Sequence, residues 1–206
     1  MNYLTHLFFS QRTPNSFTGN LMGDFKPSAE LLSQLPSDVI NGIANHRLVD
    51  KTTDQFQPVK DLKPLFSKAR RRYAGVVTDI AFDYFLIKHW DSYTSVPFHD
   101  FTQQAYAGLG ATQGLMPPRM QYVTKAMIKN NWLETYSTLE GVGRSIDFVS
   151  ERIRFKNNMS GSIEEIRSNY DQVEEVFLVL FAHLKAVVEQ QKLEIIDHDL
   201  SLKRAQ

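Results

Sequence analysis

The sequence predicts an all-α protein, and three observations carry that prediction. Apolar residues recur three and four apart, as in Val39, Ile40, Ile43 and Val49 or Met120, Val123 and Met127, the spacing that lines one face of a helix. Alternating apolar and polar residues bounded by tight hairpin turns, the mark of half-buried strands, are missing. Prolines punctuate the helical stripes at Pro36, Pro58, Pro64 and Pro117-Pro118, where a ring without an N–H starts or stops a helix.

Taken in order, the opening Met1 to Phe9 is apolar but has no basic start, long hydrophobic stretch or small-residue cleavage site, so it does not read as a signal peptide. Residues 10 to 20 and 26 to 37 read as loops. Ser37 or Asp38, after Pro36, offers an N-cap for a helix through about Asp54, which Pro58 closes. From about Val59 to Trp90 the pattern is helical again. It breaks near Pro64, softens at Gly75 and places Val76, Ile80 and Ile87 on one stripe of a long second helix. After a loop over 91 to 97, Phe98 to Leu109 reads as a helix. A loop over 110 to 117 leads to another helix with Pro117-Pro118 in its first turn. Trp132 to Phe155 continues the helical pattern, and 156 to 162 is loop-like. Ser162 with Glu165 three residues on matches a capping box. The run Val176, Phe177, Leu178, Val179, Leu180, Phe181 and Leu184 then predicts a buried last helix. No internal repeat or low-complexity tract is present.

Bulk composition narrows the function classes. With 206 residues, 42% hydrophobic and 22% charged, the chain fits one soluble domain over 1–206, with a site-bearing core over about 1–90 and a helical remainder over about 98–206. The 23 acidic and 23 basic residues balance, which argues against a general nucleic-acid binder. No cysteine is present, so a disulfide framework and a thiolate metal site are both excluded, and a transition-metal site must use His, Asp, Glu, Asn and water. No run approaches the roughly 18 to 20 apolar residues that span a bilayer. The expectation is a cytoplasmic protein with no membrane association. Local charge is uneven: Lys68, Arg70, Arg71 and Arg72 form one basic cluster, and Arg144, Arg152, Arg154 and Lys156 a second. Such runs are ordinarily solvated helix faces, with an acidic partner as the alternative.

Chemistry concentrates in the first ninety residues. His46, Asp50 and Asp54 stand four apart on one helix face, and Asp79 and Asp83 repeat the spacing on the next helix. The second pair shares its face with Val76, Ile80 and Ile87, which turns both carboxylates toward the core. An unpaired buried carboxylate costs several kcal/mol, relieved by a raised pKa, a basic partner or a metal ion. Asp24, in the glycine-flanked segment Gly19 to Phe25, adds a loop carboxylate. A single His/Asp pair at this spacing is more often a plain hydrogen bond; two pairs on consecutive helices plus Asp24 bring a cation site level with that reading. Arg47 stands as a salt-bridge partner for these acids, and Asp54 as a helix-end residue. On spacing alone His6 is a core histidine and His89 a favourable cation at a helix C-terminus, while His99, His183 and His198 fall in no cluster. Phosphate-binding glycine loops, a Gly-x-Ser-x-Gly elbow and a His-Glu-x-x-His pair are all missing.

Several segments together resemble a known family. They are Met1 to Leu7, Gly19-Asn20-Leu21-Met22-Gly23-Asp24-Phe25, Gly42-Ile43-Ala44-Asn45-His46-Arg47-Leu48-Val49-Asp50, Thr53-Asp54, and Thr78-Asp79-Ile80-Ala81-Phe82-Asp83-Tyr84-Phe85-Leu86 leading to His89-Trp90. The family is the bacterial acyl carrier protein phosphodiesterases, distant relatives of the HD-domain metal-dependent phosphohydrolases. The likeness covers the first ninety residues, and beyond them it rests on length and helical character. One position departs: the family commonly has histidine where this chain has Tyr84.

The resemblance implies a compact helical bundle like the HD-domain fold with additional C-terminal helices. It implies hydrolysis of the phosphodiester that joins phosphopantetheine to a serine of acyl carrier protein, with Mn2+ or Mg2+ as cofactor. His6, Asp24, His46, Asp50 and Asp79 are then the metal-ligand candidates. Asp83 is an orienting residue or the general base, Arg47 balances charge on the phosphoryl oxygens, and Asp54 joins the catalytic candidates. Asn20, Arg70, Arg71 and Arg72 are the substrate-binding candidates, the arginines because acyl carrier proteins are strongly acidic. Two other readings stand beside this one: an HD-like phosphohydrolase acting on a nucleotide or another small phosphate ester, and a non-catalytic helical interaction protein, which Tyr84 favours.

Overall fold

Two glycines set the central packing. A Cβ on Gly19 would stand 2.3 Å from the Val39 carbonyl oxygen, and one on Gly42 would stand 2.9 Å from the Asn20 nitrogen. Two helices therefore cross here with their backbones in contact, as only residues without side chains allow. In the computed structural model, which describes residues 1–194, every regular element is a helix or a 3-10 turn, and no strand is present among the described residues.

Helix α1 (Tyr3–Phe8) is buried from Leu4 to Phe8. Helix α2 (Pro14–Met22) begins at Thr13, whose side chain accepts from the Ser16 N–H, with Pro14 in the first turn. This overturns the loop expected over 10 to 20. The Ser, Thr, Asn and Gly residues that read as loop are here a cap and the contact surface of a helix crossing. A short α3 (Ala29–Gln34), capped by Ser28, likewise lies inside the loop expected over 26 to 37.

Helix α4 (Ser37–Gln55) follows Pro36, which takes the N-cap position itself, so Ser37 lies inside the helix and makes no side-chain cap. Pro58 sits in the first turn of α5 (Gln57–Asp61) and opens that helix rather than closing the one before. The expected long helix from Val59 to Trp90 is interrupted by 3-10 turns at Lys63–Leu65 and Arg71–Tyr73, and only α6 (Ala74–Lys88) is continuous. Pro64 and the extended backbone at Phe66 account for the break.

Helices α7 (Phe98–Ala111) and α8 (Pro118–Lys129) stand where the spacing put them. The Trp132 to Phe155 pattern divides into α9 (Trp132–Thr135) and α10 (Leu139–Arg152), because the Thr138 side chain accepts from the Gly141 N–H and starts a new helix. No capping box forms at α11 (Ile163–Ser168): the Ser162 hydroxyl donates backward to the Met159 carbonyl, and Glu165 pairs with Arg70. The last helix, α12 (Tyr170–Gln191), buries one stripe of Val173, Phe177, Leu180, Phe181, Leu184 and Val188. Leu178 and Val179 are 39% and 52% exposed, so the helix is half-buried rather than enclosed.

The core gathers on aromatic rings from several elements. Phe8 meets Trp90 edge-on at 5.4 Å and Phe181 at 5.3 Å, and Phe82 and Phe85 lie against Phe177. This cluster locks α1 against α6 and α12 and so positions His6. No helix among the described residues is long and apolar enough to cross a membrane.

Candidate functional site

Helices α1 and α4 bring the His6 and His46 rings face to face, with centroids 3.9 Å apart and planes 22° apart. Asp50, one turn beyond His46, reaches both rings: its Oδ1 is 3.2 Å from His6 Nε2 and its Oδ2 is 3.0 Å from His46 Nε2. The three residues offer ligand atoms that all lie within 4.8 Å of one another, a group able to hold a metal ion. Asp24, in the 3-10 turn Gly23–Phe25 after α2, places Oδ1 at 3.7 Å from His46 Nε2. The Met1 amino group lies 3.2 Å from Asp50 Oδ1 and 3.3 Å from Asp79 Oδ1, which draws the α6 carboxylate to the same place. Gly23 is needed for this closeness, since a Cβ there would stand 2.0 Å from the His46 ring.

The protonation states favour a positive charge between these groups. His46 Nδ1 is 2.7 Å from the Asn20 carbonyl oxygen, which only accepts, so Nδ1 carries the hydrogen and Nε2 faces Asp50 and Asp24. A lone pair aimed at two carboxylates is repelled unless a proton or a metal ion intervenes. Burial lowers the His46 pKa, but the Asp50 hydrogen bond and the Asp50 and Asp24 charges outweigh it and hold it above its ordinary value.

His6 is fully buried, and burial with the neighbouring His46 charge drives it down to about 3, so it is neutral near pH 7. Neither of its ring nitrogens makes a hydrogen bond: Nε2 lies near Asp50 without the alignment of one. A buried polar atom left in that state costs about 1 to 3 kcal/mol. A lone pair on such an atom, beside a second imidazole and a carboxylate, fits a divalent ion.

Burial pushes the Asp50 carboxyl up, yet the His46 hydrogen bond, the nearby His6 imidazole and the Met1 amino charge outweigh this and hold it well below the usual carboxylate range. Asp24 and Asp79 are raised, chiefly by burial. Burial would lower the Met1 amino group, but the Asp79 and Asp50 charges raise it to about 10.

The remaining sequence-predicted residues fall into two sets. Arg47 and Asp54 are exposed and line a cleft of about 480 Å³ together with Lys26, Lys51, Asp24 and Asp50. Asp83 is fully buried and accepts from the Leu4 N–H at 3.0 Å, the Thr5 N–H at 3.0 Å and the Thr5 hydroxyl at 2.7 Å. The carboxylate thereby fastens the first turn of α1, which carries His6. Burial pushes this carboxyl up to about 6.

Asn20, expected at the substrate, is fully buried. Its amide donates to the Ser16 carbonyl and to Glu194, so its part in the site is the carbonyl that meets His46. The arginine cluster is also engaged away from the centre. Arg70 pairs with Glu165 at 2.9 Å and donates to the Asn158 and Ser160 carbonyls. Arg71 reaches the Phe66 carbonyl at 3.5 Å, and Arg72 lies over the Tyr73 and Phe155 rings.

Tyr84 turns to α12, with its hydroxyl 3.2 Å from that of Tyr170. His89 pairs with Glu174, His99 lies 3.6 Å from Glu134 and His183 stacks on Phe56. His198 lies outside the described residues.

Two supporting residues escaped the sequence reading. Asn45 donates to the Phe9 carbonyl and to the Asn20 side chain, tying α1, α2 and α4 together behind His46. Glu194 accepts from Asn20 at 2.7 Å and is pushed by burial up to about 7. Asn45 stands next to His46 in the quoted segment, which was a usable signal. Glu194 had none, because nothing in its surroundings in the chain marks a residue 174 positions away as a partner.

A family model described as acyl carrier protein phosphodiesterase matches residues 1–184. A relative of that name from Serratia proteamaculans is 31% identical over 194 residues, covering 94% of this chain and 100% of the relative. Those from Yersinia pestis and Klebsiella pneumoniae are 28% and 27% identical over 197 residues, with the same shares covered. No solved structure matches the chain. The matched span includes His6, Asp24, His46, Asp50, Asp79 and Asp83, the residues whose geometry builds the centre. On the length of that match and the identity to whole relatives, the chain belongs to the acyl carrier protein phosphodiesterase family.

Proposed function

We propose that this protein hydrolyses the phosphodiester of holo acyl carrier protein, releasing apo carrier protein and 4'-phosphopantetheine, with Mn2+ or Mg2+ as cofactor. The observation that carries the reading is the meeting of His6, His46 and Asp50, with Asp24 and Asp79 beside them, in a chain of this family. His6, His46 and Asp50 would hold the ion, with Asp24 and Asp79 as further carboxylate ligands. When bound, a divalent cation polarises phosphoryl oxygens and lowers the pKa of water. A site without thiolates, rich in carboxylate oxygen, suits such hard ions.

The chain's own groups supply the rest. Hydrolysis adds water across the bond between phosphorus and the serine oxygen: the water oxygen goes to phosphorus, and a proton goes to the departing serine. Asp54, exposed in the cleft and not among the ligands, would take the proton of the attacking water. Arg47, with Lys26 and Lys51 in the same cleft, balances the charge on the phosphoryl oxygens. Asp83 holds α1, and Asn20 holds the His46 ring, so both imidazoles keep their orientation.

The test is to incubate holo acyl carrier protein with this protein and Mn2+ and to follow the carrier by mass. Loss of the phosphopantetheine group is expected, and Asp24→Ala and Asp79→Ala should slow it about a hundredfold or more. An unchanged carrier mass, or full activity in both variants, would overturn the reading.

A further inference from the structure

A second cleft, also of about 480 Å³, shares Asp24 with the first and takes in Asp79 and Met1 from the candidate centre. Helix α10 forms one wall. Arg144, Phe148 and Arg152 recur there four apart on a single helix face, and Val76, Ile80 and Trp132 from α6 and α9 line the same cleft. Phe148 and Val76 are 48% and 46% exposed although both are large and apolar. Phe148 is also preordered: Trp132 meets it edge-on at 6.2 Å, and the Arg152 guanidinium lies 5.4 Å from its ring centre.

An apolar cleft of this size with a few polar groups is the usual form of a small-molecule site. Its occupant must carry apolar segments, present an anion to the cation that the centre would hold, and accept hydrogen bonds from guanidinium groups. A pantetheine arm meets all three conditions. It carries a geminal dimethyl group and methylene segments, two amide carbonyls, and a phosphodiester at one end only. A nucleotide would instead place a polar base and ribose against Phe148 and Val76.

We propose that this groove is the subsite for the pantetheine arm, with phosphorus at the Asp24 and Asp79 end, the arm along Phe148 and Trp132, and Arg144 and Arg152 donating to its amide carbonyls. The inference rests on the reading that holo carrier protein is the substrate. It adds arm contacts on the second basic stretch of the sequence to the carrier-protein contacts expected at Arg70, Arg71 and Arg72.

The test is calorimetric titration of the full-length protein with pantetheine, which has no phosphate and therefore reads the groove apart from the centre. The chain has no cysteine, so reductant can keep the probe's thiol free without altering the protein. Pantetheine is expected to bind. Phe148→Asp should weaken binding about tenfold or more, and Phe148→Leu should stay within about threefold of the parent. With holo carrier protein, Phe148→Asp should raise KM by a similar factor while kcat changes by less than about threefold.

Pantetheine that does not bind, or binds Phe148→Asp as well as the parent, overturns the groove even if the carrier is hydrolysed. Pantetheine binding that follows Phe148, in a protein that leaves holo carrier intact, upholds the groove and overturns the proposed hydrolysis.

Discussion

At the scale of single residues, each group of the centre is held by a partner that the sequence reading reached only in part. His46, Asp50 and Asp79 were legible as candidates because helical spacing groups His46 with Asp50 on one face and sets Asp79 among the apolar residues of another helix. His6 was legible only through the family resemblance, because on spacing its neighbours Leu4, Leu7 and Phe8 make it look like any core histidine; contact with α4 is what sets it apart in the fold. Asp83 shows the same limit, since nothing in its surroundings in the chain shows that its partners are the Leu4 and Thr5 N–H groups, about eighty positions away. Asp83→Asn puts an amide NH2 against those donors and should lower stability by about 1 to 3 kcal/mol in denaturant unfolding. The pH dependence follows from the raised carboxyl. With a folded pKa of about 6 against an ordinary 3.8, the folded state binds the extra proton between those values. Stability contributed by Asp83 is therefore full below 3.8 and falls as pH rises to about 6, then stays level. The stability gap between parent and Asp83→Asn should narrow over that window, and a gap that widens there would contradict the assignment.

At the scale of elements, helical spacing located α4, α7, α8 and α12, where apolar stripes are wide. It missed α2, whose buried face is made of Ser16, Thr18, Gly19 and Asn20 as much as of Phe17 and Leu21. Small and polar residues serve there because the crossing with α4 is too close for larger ones. It also fused α5 with α6 and α9 with α10, since a stripe shows periodicity but not the caps and 3-10 turns that interrupt it. The last helix offers a direct check of which face is inside. Leu180 is fully buried and Val179 is 52% exposed, although both belong to one apolar run. Leu180→Ala should cost about 2 to 5 kcal/mol in denaturant unfolding. Val179→Ala should stay within about 0.5 kcal/mol of the parent. Equal losses would mean that α12 is enclosed on both faces.

At the scale of the whole molecule, the all-α class was legible throughout, while the site needed tertiary structure to bring four separate segments together. α1 supplies His6, the turn after α2 supplies Asp24, α4 supplies His46 and Asp50, and α6 supplies Asp79. The aromatic core beneath them fixes α1 against α6 and α12, and the Asn20, Asn45 and Glu194 network fixes α2 against α4. Two clefts then open from the shared Asp24, one lined by Lys26, Arg47 and Lys51 and one by apolar and arginine side chains. A diester with a charged protein on one side and a flexible arm on the other matches that division. The proposed hydrolysis depends on the centre holding a cation, which Mn2+ titration followed by electron paramagnetic resonance reads directly. The account predicts a tight Mn2+ site in the parent protein that is weakened about a hundredfold or lost in both His46→Ala and Asp50→Ala. Mn2+ binding that is equally strong in the parent and both variants, or missing from a folded parent, would contradict it.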